Sequence, residues 1–510
     1  MTYGAEMGNG RRIAALVAIG LTAATVITPR WSGSAAQAAE LSAPDPALAR
    51  YYAQALDWRP CQELECATLT VPRDYRDPQA GDISISVNRA RTRSASRLGS
   101  IVINPGGPGG SGFDFTGYVA GVVMPSVAAR YDVVGFDPRG VGRSAPVTCL
   151  TGRQTTAWLR TDLSPDTAAE EEALMRRAAT IGTGCLAMSP ALARNVSSED
   201  TVRDMDILRA VLGQEQLNFL GFSYGTYLGA RYAERFPDRV GRFVLDGAVD
   251  PSLDVMEISQ GQSAGFQDAF QRFAANCARL TSCPAGRSAS AVTAWVNRLL
   301  QRLDRSPLPT DQGPALNQAQ AINAIFFSLY SKDSWGSLRA ALADAGVGDG
   351  TGLQTLADYY ADRIGPNEYG SNQNSAFYAI SCWDFPAPPG REGLRAAARA
   401  WSAQAPVPEL ARSMSWGNAP CTTWFGHSDQ PPAPVATTTT APILVVGTRH
   451  DPATPFAWAQ SLHAQLPTSA LLTYEGDGHT AYGSGSSCID RAIDAYFLTG
   501  AMPAPDKSCR

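Results

Sequence analysis

Short apolar runs recur through the first half of the chain, with amphipathic stretches between them. Each run is short enough for a single strand, and several are apolar throughout, as in strands buried inside a parallel sheet. The intervening segment 204–212 has helical periodicity. The predicted strands of this half are 83–87, 100–104, 131–136, 217–220 and 242–245. This alternation predicts an α/β protein with a mostly parallel central sheet and helices on both faces.

The pattern changes at about residue 251. Up to about residue 430 the apolar positions follow helical spacing and no strand alternation is visible. The predicted helices of this segment are 266–280, 291–303, 316–330, 338–345 and 393–404. A Pro- and Thr-rich stretch then leads into apolar strands at 441–447 and 470–474. We therefore predict a core formed by 40–250 and 431–510, with a large helical cap inserted at 251–430.

The segment 221–225 has the sequence Gly-Phe-Ser-Tyr-Gly. An apolar run precedes it and a helical pattern follows it, so Ser223 stands at a strand-to-helix turn. Strand, G-x-S-x-G and helix together are typical of the nucleophile elbow of an α/β-hydrolase, where small neighbours allow the sharp turn and the serine Oγ is exposed. Ser223 is therefore the predicted nucleophile.

The triad of an α/β-hydrolase follows the chain order serine, acid, histidine. Asp451 comes shortly after the strand 441–447, and His479 follows the strand 470–474 in a loop flanked by glycine. Parallel strands carry such loops to one edge of the sheet, where the sites of α/β proteins lie. Asp451 and His479 are therefore the predicted acid and general base.

Alternatives stay open for both roles. The chain has only four histidines, and His450 is the rival base because it neighbours Asp451. Asp246 also follows an apolar strand, and some hydrolases carry the acid at that place. Asp477 is too close to His479 along the chain to orient its ring.

A glycine-rich loop, 105–112, follows the strand 100–104. It lacks the Gly-Lys-Ser/Thr ending of a phosphate-binding loop. Bare backbone suits the approach of a substrate carbonyl, whose developing negative charge needs N–H donors. We predict an oxyanion hole formed by the N–H of Tyr224, the residue after the nucleophile, and the N–H of Gly107, with Gly106 as the alternative.

Together these motifs resemble the secreted tripeptidyl aminopeptidases of actinobacteria, which are relatives of the prolyl iminopeptidases among the α/β-hydrolases. The resemblance covers essentially the whole mature chain and rests on 104–109, 131–144, 221–229, 447–455 and 478–479. It implies a serine peptidase with Ser223, Asp451 and His479 as its triad. Pro105 stands where prolyl iminopeptidases have a histidine, so a strict proline-releasing activity is not implied.

Composition and charge narrow the function classes. The chain is 44% hydrophobic with a formal net charge of -5, which suits a globular enzyme and implies no nucleic-acid partner. Lys332 and Lys507 are the only lysines, and neither lies in a motif for a Schiff-base cofactor. No set of Cys and His has zinc-ligand spacing. We therefore expect no cofactor and no metal.

The segment 1–39 is predicted to be a signal peptide. Arg11 and Arg12 precede an apolar run (13–27), and small residues (34–39) provide a cleavage site of the A-x-A type. The run is shorter than the roughly 20 residues that span a bilayer. The mature protein is therefore expected without a membrane anchor, outside the cell or in the cell envelope.

Ten cysteines follow this segment, and an even count in an exported chain predicts disulfides. Pairing between nearest neighbours along the chain is the simplest prediction. The predicted pairs are Cys61–Cys66, Cys149–Cys185, Cys277–Cys283, Cys382–Cys421 and Cys488–Cys509.

The cap is expected to select the substrate. An aminopeptidase must bind a protonated α-amine, for which a carboxylate at the boundary of cap and core is the natural partner. Glu257 and Asp384 are the candidates. Trp383, Trp424 and Phe425 could line an apolar side-chain pocket or belong to the core.

The favoured function is therefore a serine exopeptidase acting on peptide substrates. It would release short peptides, tripeptides in the family it resembles, from free N-termini. A carboxylesterase or lipase is the alternative, because it would use the same catalytic apparatus. A binding protein on an inactive hydrolase scaffold is disfavoured by the presence of all three triad residue types.

Overall fold

The computed structural model describes residues 43–311, 313–428 and 431–510. A sheet of ten strands forms its centre, and every strand predicted from the apolar runs lies in it. The predicted signal peptide, 1–39, lies outside the described residues. None of the helices within the described ranges is long and apolar enough to cross a membrane.

The strands, numbered along the chain, are β1 (Arg59–Cys61), β2 (Leu64–Pro72), β3 (Asp82–Ala90), β4 (Gly99–Asn104), β5 (Tyr131–Phe136), β6 (Leu217–Phe222), β7 (Val240–Asp246), β8 (Arg363–Gly365), β9 (Glu368–Tyr369), β10 (Ile443–His450), β11 (Ser469–Asp477) and β12 (Ser508–Cys509). Their order in the large sheet is β1-β2-β3-β5-β4-β6-β7-β10-β11-β12. β1 pairs with β2, β2 with β3 and β3 with β5 in antiparallel orientation, and all the other pairs of this sheet are parallel. The mostly parallel sheet that the sequence predicts is therefore confirmed.

Helices flank this sheet on both faces. Those outside the segment between β7 and β10 are α1 (Ala49–Tyr52), α2 (Gly112–Tyr118), α3 (Pro125–Ala128), α4 (Gly152–Leu159), α5 (Ala168–Met188), α6 (Ser198–Val211), α7 (Tyr224–Arg235), α16 (Phe456–Gln465) and α17 (Ser487–Thr499). Those between β7 and β10 are α8 (Val255–Ala278), α9 (Ala289–Arg305), α10 (Gln318–Leu329), α11 (Trp335–Gly346), α12 (Thr351–Ala361), α13 (Gln373–Asp384), α14 (Arg391–Ser402) and α15 (Pro408–Trp416). The predicted helical character of this segment is confirmed, except that β8 and β9 form a small antiparallel hairpin within it.

Neighbouring residues of the central strands enter two different hydrophobic clusters. Val102 of β4 packs in one cluster with Leu228 of α7. The next residue, Ile103, packs in the other with Ile489 of α17. Both faces of the sheet are thus buried, which explains why these strands are apolar throughout.

The helices between β7 and β10 build a cluster of their own, which includes Phe270 of α8 and Leu338 of α11. A further cluster joins α13, α14 and α15 to α5, which comes from the segment between β5 and β6. The cap helices therefore pack partly against α5, which lies in the segment predicted to belong to the core. The cap boundaries at 251 and 430 stay a prediction.

All five predicted disulfides are confirmed, namely Cys61–Cys66, Cys149–Cys185, Cys277–Cys283, Cys382–Cys421 and Cys488–Cys509. Two of them lie in the cluster shared by α5 and the cap helices. No cysteine is free within the described ranges.

Candidate active site

Ser223 lies at the junction of β6 and α7 with φ 54° and ψ -125°. This left-handed conformation is strained for a residue with a side chain, and such strain concentrates at functional sites. The glycines on either side are required by close packing. A Cβ on Gly221 would lie 2.5 Å from the carbonyl oxygen of Gly225, and a Cβ on Gly225 would lie 2.8 Å from that of Asn104. The local geometry is that of a nucleophile elbow.

The glycine-rich loop packs directly against this elbow. A Cβ on Gly106 would lie 2.5 Å from the carbonyl oxygen of Phe222 and 3.0 Å from the nitrogen of Tyr224. The N–H of Gly106 donates to Oδ1 of Asn104 at 2.9 Å. The N–H groups of Gly107 and Tyr224 make no hydrogen bond within the described part of the chain. These two N–H groups are thus available to a ligand, which favours Gly107 over Gly106 as the second donor.

His479 and Asp451 are brought together at the ends of β11 and β10. Nδ1 of His479 lies 2.9 Å from Oδ1 and 3.0 Å from Oδ2 of Asp451. Burial lowers the pKa of His479, but the carboxylate of Asp451 outweighs this effect, so the pKa stays above its usual value. The arrangement fixes one imidazole tautomer, with its proton on Nδ1.

The carboxylate of Asp451 is itself held by the turn that follows it. Oδ1 accepts hydrogen bonds from the backbone N–H of Ala453 at 2.9 Å and of Thr454 at 2.8 Å. The hydroxyl of Thr454 donates to Oδ2 at 3.0 Å and lies 3.3 Å from Nδ1 of His479. Sequence reasoning missed Thr454, although an aspartate that caps the N–H groups two and three residues later is a known turn pattern.

Residues 246 and 247 adjoin both Ser223 and His479. The carbonyl of Asp246 accepts a hydrogen bond from the N–H of Ser223 at 2.9 Å, and a Cβ on Gly247 would lie 3.3 Å from Cε1 of His479. Among the described residues the Ser223 hydroxyl donates no hydrogen bond to His479. Such bonds are often long without substrate and tighten in the complex.

The alternative acid and base have other partners. The buried carboxylate of Asp246 accepts from the N–H of Ala481 at 3.0 Å and of Tyr482 at 2.8 Å. Burial raises the pKa of Asp246 to about 6. Nδ1 of His450 contacts Asp268 of α8 at 2.8 Å. These contacts favour Asp451 and His479 over Asp246 and His450.

The two candidate amine-binding carboxylates are both engaged within the protein. Glu257 is exposed and accepts a hydrogen bond from the N–H of Asp254 at 2.9 Å, which closes a capping box at the start of α8. Asp384 is buried and accepts from the N–H of Ser198 at 2.8 Å and from its hydroxyl, which also contacts the hydroxyl of Tyr224. Burial raises the pKa of Asp384 to about 7.

A cavity of about 320 Å³ lies between the glycine-rich loop and the cap helices. Gly107 and Pro108 form one wall, and the rest comes from α4, α10, α12, α13 and α15, from Leu163 after α4 and from Tyr330 after α10. No charged side chain lines it among the described residues, and neither Glu257 nor Asp384 belongs to its walls. Its lining is mainly aromatic and aliphatic, as in many small-molecule sites.

The aromatic residues proposed for an apolar pocket lie elsewhere. Trp424 is buried in the cluster shared by α5 and the cap, and Trp383 and Phe425 pack against it. The cavity is lined instead by residues such as Trp158 and Phe326. Within the described ranges, no group of three or more His, Cys, Asp and Glu side chains is placed to hold a metal ion.

The fold and this arrangement define a serine hydrolase, and comparison with known proteins agrees. The sequence profile of the alpha/beta hydrolase fold matches residues 99–486. The chain therefore belongs to the α/β-hydrolase family.

Three relatives narrow the family further. Serine protease Hip1 of Mycobacterium tuberculosis (strain H37Rv) is 34% identical over 478 residues, 89% of this chain and 91% of the relative. Carboxylesterase B of Mycobacterium tuberculosis (strain CDC 1551) is 34% identical over 475 residues, 89% of each chain. Tripeptidyl aminopeptidase of Streptomyces lividans is 32% identical over 472 residues, 89% of this chain and 85% of the relative. The chain is thus a member of the actinobacterial α/β-hydrolase serine peptidases, as the motifs predicted.

Proposed function

We propose that the protein is an exported serine exopeptidase. It removes short peptides, namely tripeptides, from the free N-termini of its substrates. Similarity to a tripeptidyl aminopeptidase and to a serine protease over 89% of the chain supports action on peptides. Export is supported by the predicted signal peptide and by five disulfides, which persist in oxidising compartments.

In this mechanism Oγ of Ser223 attacks the carbonyl carbon of the scissile peptide bond while His479 accepts the hydroxyl proton. The N–H groups of Tyr224 and Gly107 stabilise the oxyanion. His479 then protonates the leaving amine, and an acyl-enzyme remains on Ser223. A water molecule, deprotonated by His479, hydrolyses it and releases the peptide.

One observation carries this assignment. Nδ1 of His479 is hydrogen bonded to Asp451, at the sheet edge where the strained Ser223 directly precedes α7. A histidine oriented in this way keeps Nε2 free to accept a proton from the nucleophile. The proposed role of Asp451 is to hold that tautomer and to stabilise the imidazolium.

The requirement for a free N-terminus follows from the position of the cap. The cap covers the cavity beside Gly107, and a covered cavity would admit the end of a substrate peptide more readily than its interior. An amine contact by Glu257 or Asp384 stays a prediction, because both carboxylates already accept hydrogen bonds within the protein. A carboxylesterase is the alternative function, favoured by the charge-free cavity and the similarity to carboxylesterase B.

The test is kcat/KM for alanyl, dialanyl and trialanyl p-nitroanilides, the N-acetylated trialanyl anilide and p-nitrophenyl butyrate, with Ser223→Ala as the blank. We expect the free trialanyl anilide to be preferred and acetylation to reduce kcat/KM by about tenfold or more, since a lost amine contact costs about 1.5–3 kcal/mol. Efficient cleavage of the acetylated anilide would exclude the exopeptidase, and cleavage of the ester alone would identify an esterase. Glu257→Gln and Asp384→Asn test the amine contact on the same substrates.

A further inference from the structure

One face of helix α10 lines the cavity along its length. The lining residues are Ala319, Ile322, Asn323, Phe326 and, directly after the helix, Tyr330. Their spacing of three and four residues places them on the same side of the helix. The face is apolar and aromatic apart from Asn323.

The side-chain amide of Asn323 has no hydrogen-bond partner within the described residues. The other amides of the cavity wall are engaged, since Nδ2 of Asn374 donates to the carbonyl of Ala361 at 3.1 Å and Nε2 of Gln373 donates to that of Tyr360 at 3.3 Å. Asn323 is half-buried, and its amide keeps both an acceptor oxygen and a donor NH2 for a molecule in the cavity. Asn323 is therefore a polar group that a ligand in the cavity can satisfy.

The helix sets the distance from this amide to Tyr330, the cap residue that contacts the proposed general base. The ring of Tyr330 packs edge-on against the ring of His479, with centroids 5.4 Å apart. Asn323 stands seven residues earlier, about 10 Å along the axis at about 1.5 Å per residue. An extended peptide covers about 10 Å in three residues.

We propose that Asn323 binds the backbone of the acyl peptide two to three residues before the scissile bond, which rests on the peptidase function proposed above. An asparagine amide can accept from a peptide N–H and donate to a peptide carbonyl at once. A hydrocarbon acyl chain offers neither group. Asn323 is thus a specificity residue that favours a peptide of two or three residues over a shorter or purely apolar acyl group.

The experiment compares Asn323→Leu with wild type on alanyl, dialanyl and trialanyl p-nitroanilides and on p-nitrophenyl butyrate. Leucine is similar in size to asparagine and favours helix. If the Asn323→Leu variant does not fold, Asn323→Ala takes its place. Met414→Leu, a volume-conserving change in the same cavity wall, is the matched control. We expect Asn323→Leu to lower kcat/KM on the trialanyl anilide by about tenfold while the alanyl anilide and the ester change by less than about twofold.

The outcomes separate this inference from the proposed function. Equal losses on all four substrates, or no loss on the trialanyl anilide, would overturn the role of Asn323. A wild-type enzyme that cleaves only the ester would instead overturn the peptidase function. A loss in Met414→Leu as large as that in Asn323→Leu would show that cavity shape, and not the amide, sets the preference.

Discussion

The backbone N–H of His479 donates a hydrogen bond to the backbone carbonyl of Tyr330 across 2.8 Å. Tyr330 directly follows helix α10 of the cap, so the cap contacts the proposed general base through the backbone of Tyr330 as well as through its ring. Two residues before the base, Asp477 forms ion pairs with Arg272 of α8 and with Lys332, whose Nζ lies 3.1 Å from it. The cap therefore has a part in positioning the base in addition to enclosing the cavity.

Asp477→Asn should lower kcat by about tenfold with little change in KM, because the loop that carries His479 loses both ion pairs and even small misplacement of a catalytic group is costly. Steady-state kinetics on a tripeptidyl anilide measure the effect. Asp268→Asn is the control, since Asp268 lies on α8 as Arg272 does but pairs with His450 and not with Asp477. If Asp477→Asn lowers thermal stability but leaves kcat unchanged, the ion pairs of Asp477 have a structural role only.

Asp451→Asn and Asp246→Asn should separate a catalytic carboxylate from a structural one. Removing the Asp451 charge should lower kcat by up to about four orders of magnitude, because His479 loses its tautomer and its counter-charge. Asp246→Asn should instead cost about 1–3 kcal/mol of unfolding free energy, because an amide NH2 replaces one of the two oxygens that accept from the N–H of Ala481 and brings a second donor against it. Kinetics and urea denaturation of both variants distinguish them. If Asp246→Asn is the one that abolishes turnover, the acid lies on β7.

Activity should fall on acidification with a midpoint above 6.5, the ordinary value for histidine. The base works only when neutral, and Asp451 raises the pKa of His479 above that value despite burial. The acidic limb of kcat/KM against pH reports this group in the free enzyme. A midpoint below 6.5 would contradict the pairing of His479 with Asp451.

Asp384 should make stability depend on pH in the opposite sense to an ordinary salt-bridged carboxylate. Burial raises its pKa from 3.8 to about 7 in the folded protein, so the folded state binds the proton more tightly than the unfolded state. Protonated Asp384 therefore adds up to about 4 kcal/mol to the free energy of unfolding. This contribution is fully present below about pH 4 and is lost as the pH rises through about 7. Unfolding free energies of wild type and Asp384→Asn across this range test the sign. A difference that stays constant with pH would show that Asp384 is ionised throughout.

Much of the site could be predicted because its signals are local in sequence. The elbow needs glycines at 221 and 225, where any Cβ would clash, and Asp451 and His479 each follow an apolar strand. The central strands were visible because both of their faces are buried. β2 was missed although Leu69 and Val71 alternate with more exposed residues, a pattern of period two that strand prediction can use.

The cavity could not be predicted, because its walls come from segments far apart in the chain. Gly107, Trp158, Asn323, Tyr360 and Phe377 meet only after the cap folds over the core. The interaction of Tyr330 with His479 is likewise a tertiary contact with no local signal. For the same reason no local pattern indicates that Asp384 is buried against Ser198.

The identity of the nucleophile is tested most directly by mapping the adduct of a fluorophosphonate by mass spectrometry. For the wild-type enzyme we predict a single adduct, on Ser223. For Ser223→Ala we predict no adduct and at most about one thousandth of the wild-type turnover. Ser111→Ala is the control, because Ser111 in the glycine-rich loop caps α2 and should leave labelling unchanged. Labelling of another residue, or substantial turnover by Ser223→Ala, would contradict the account.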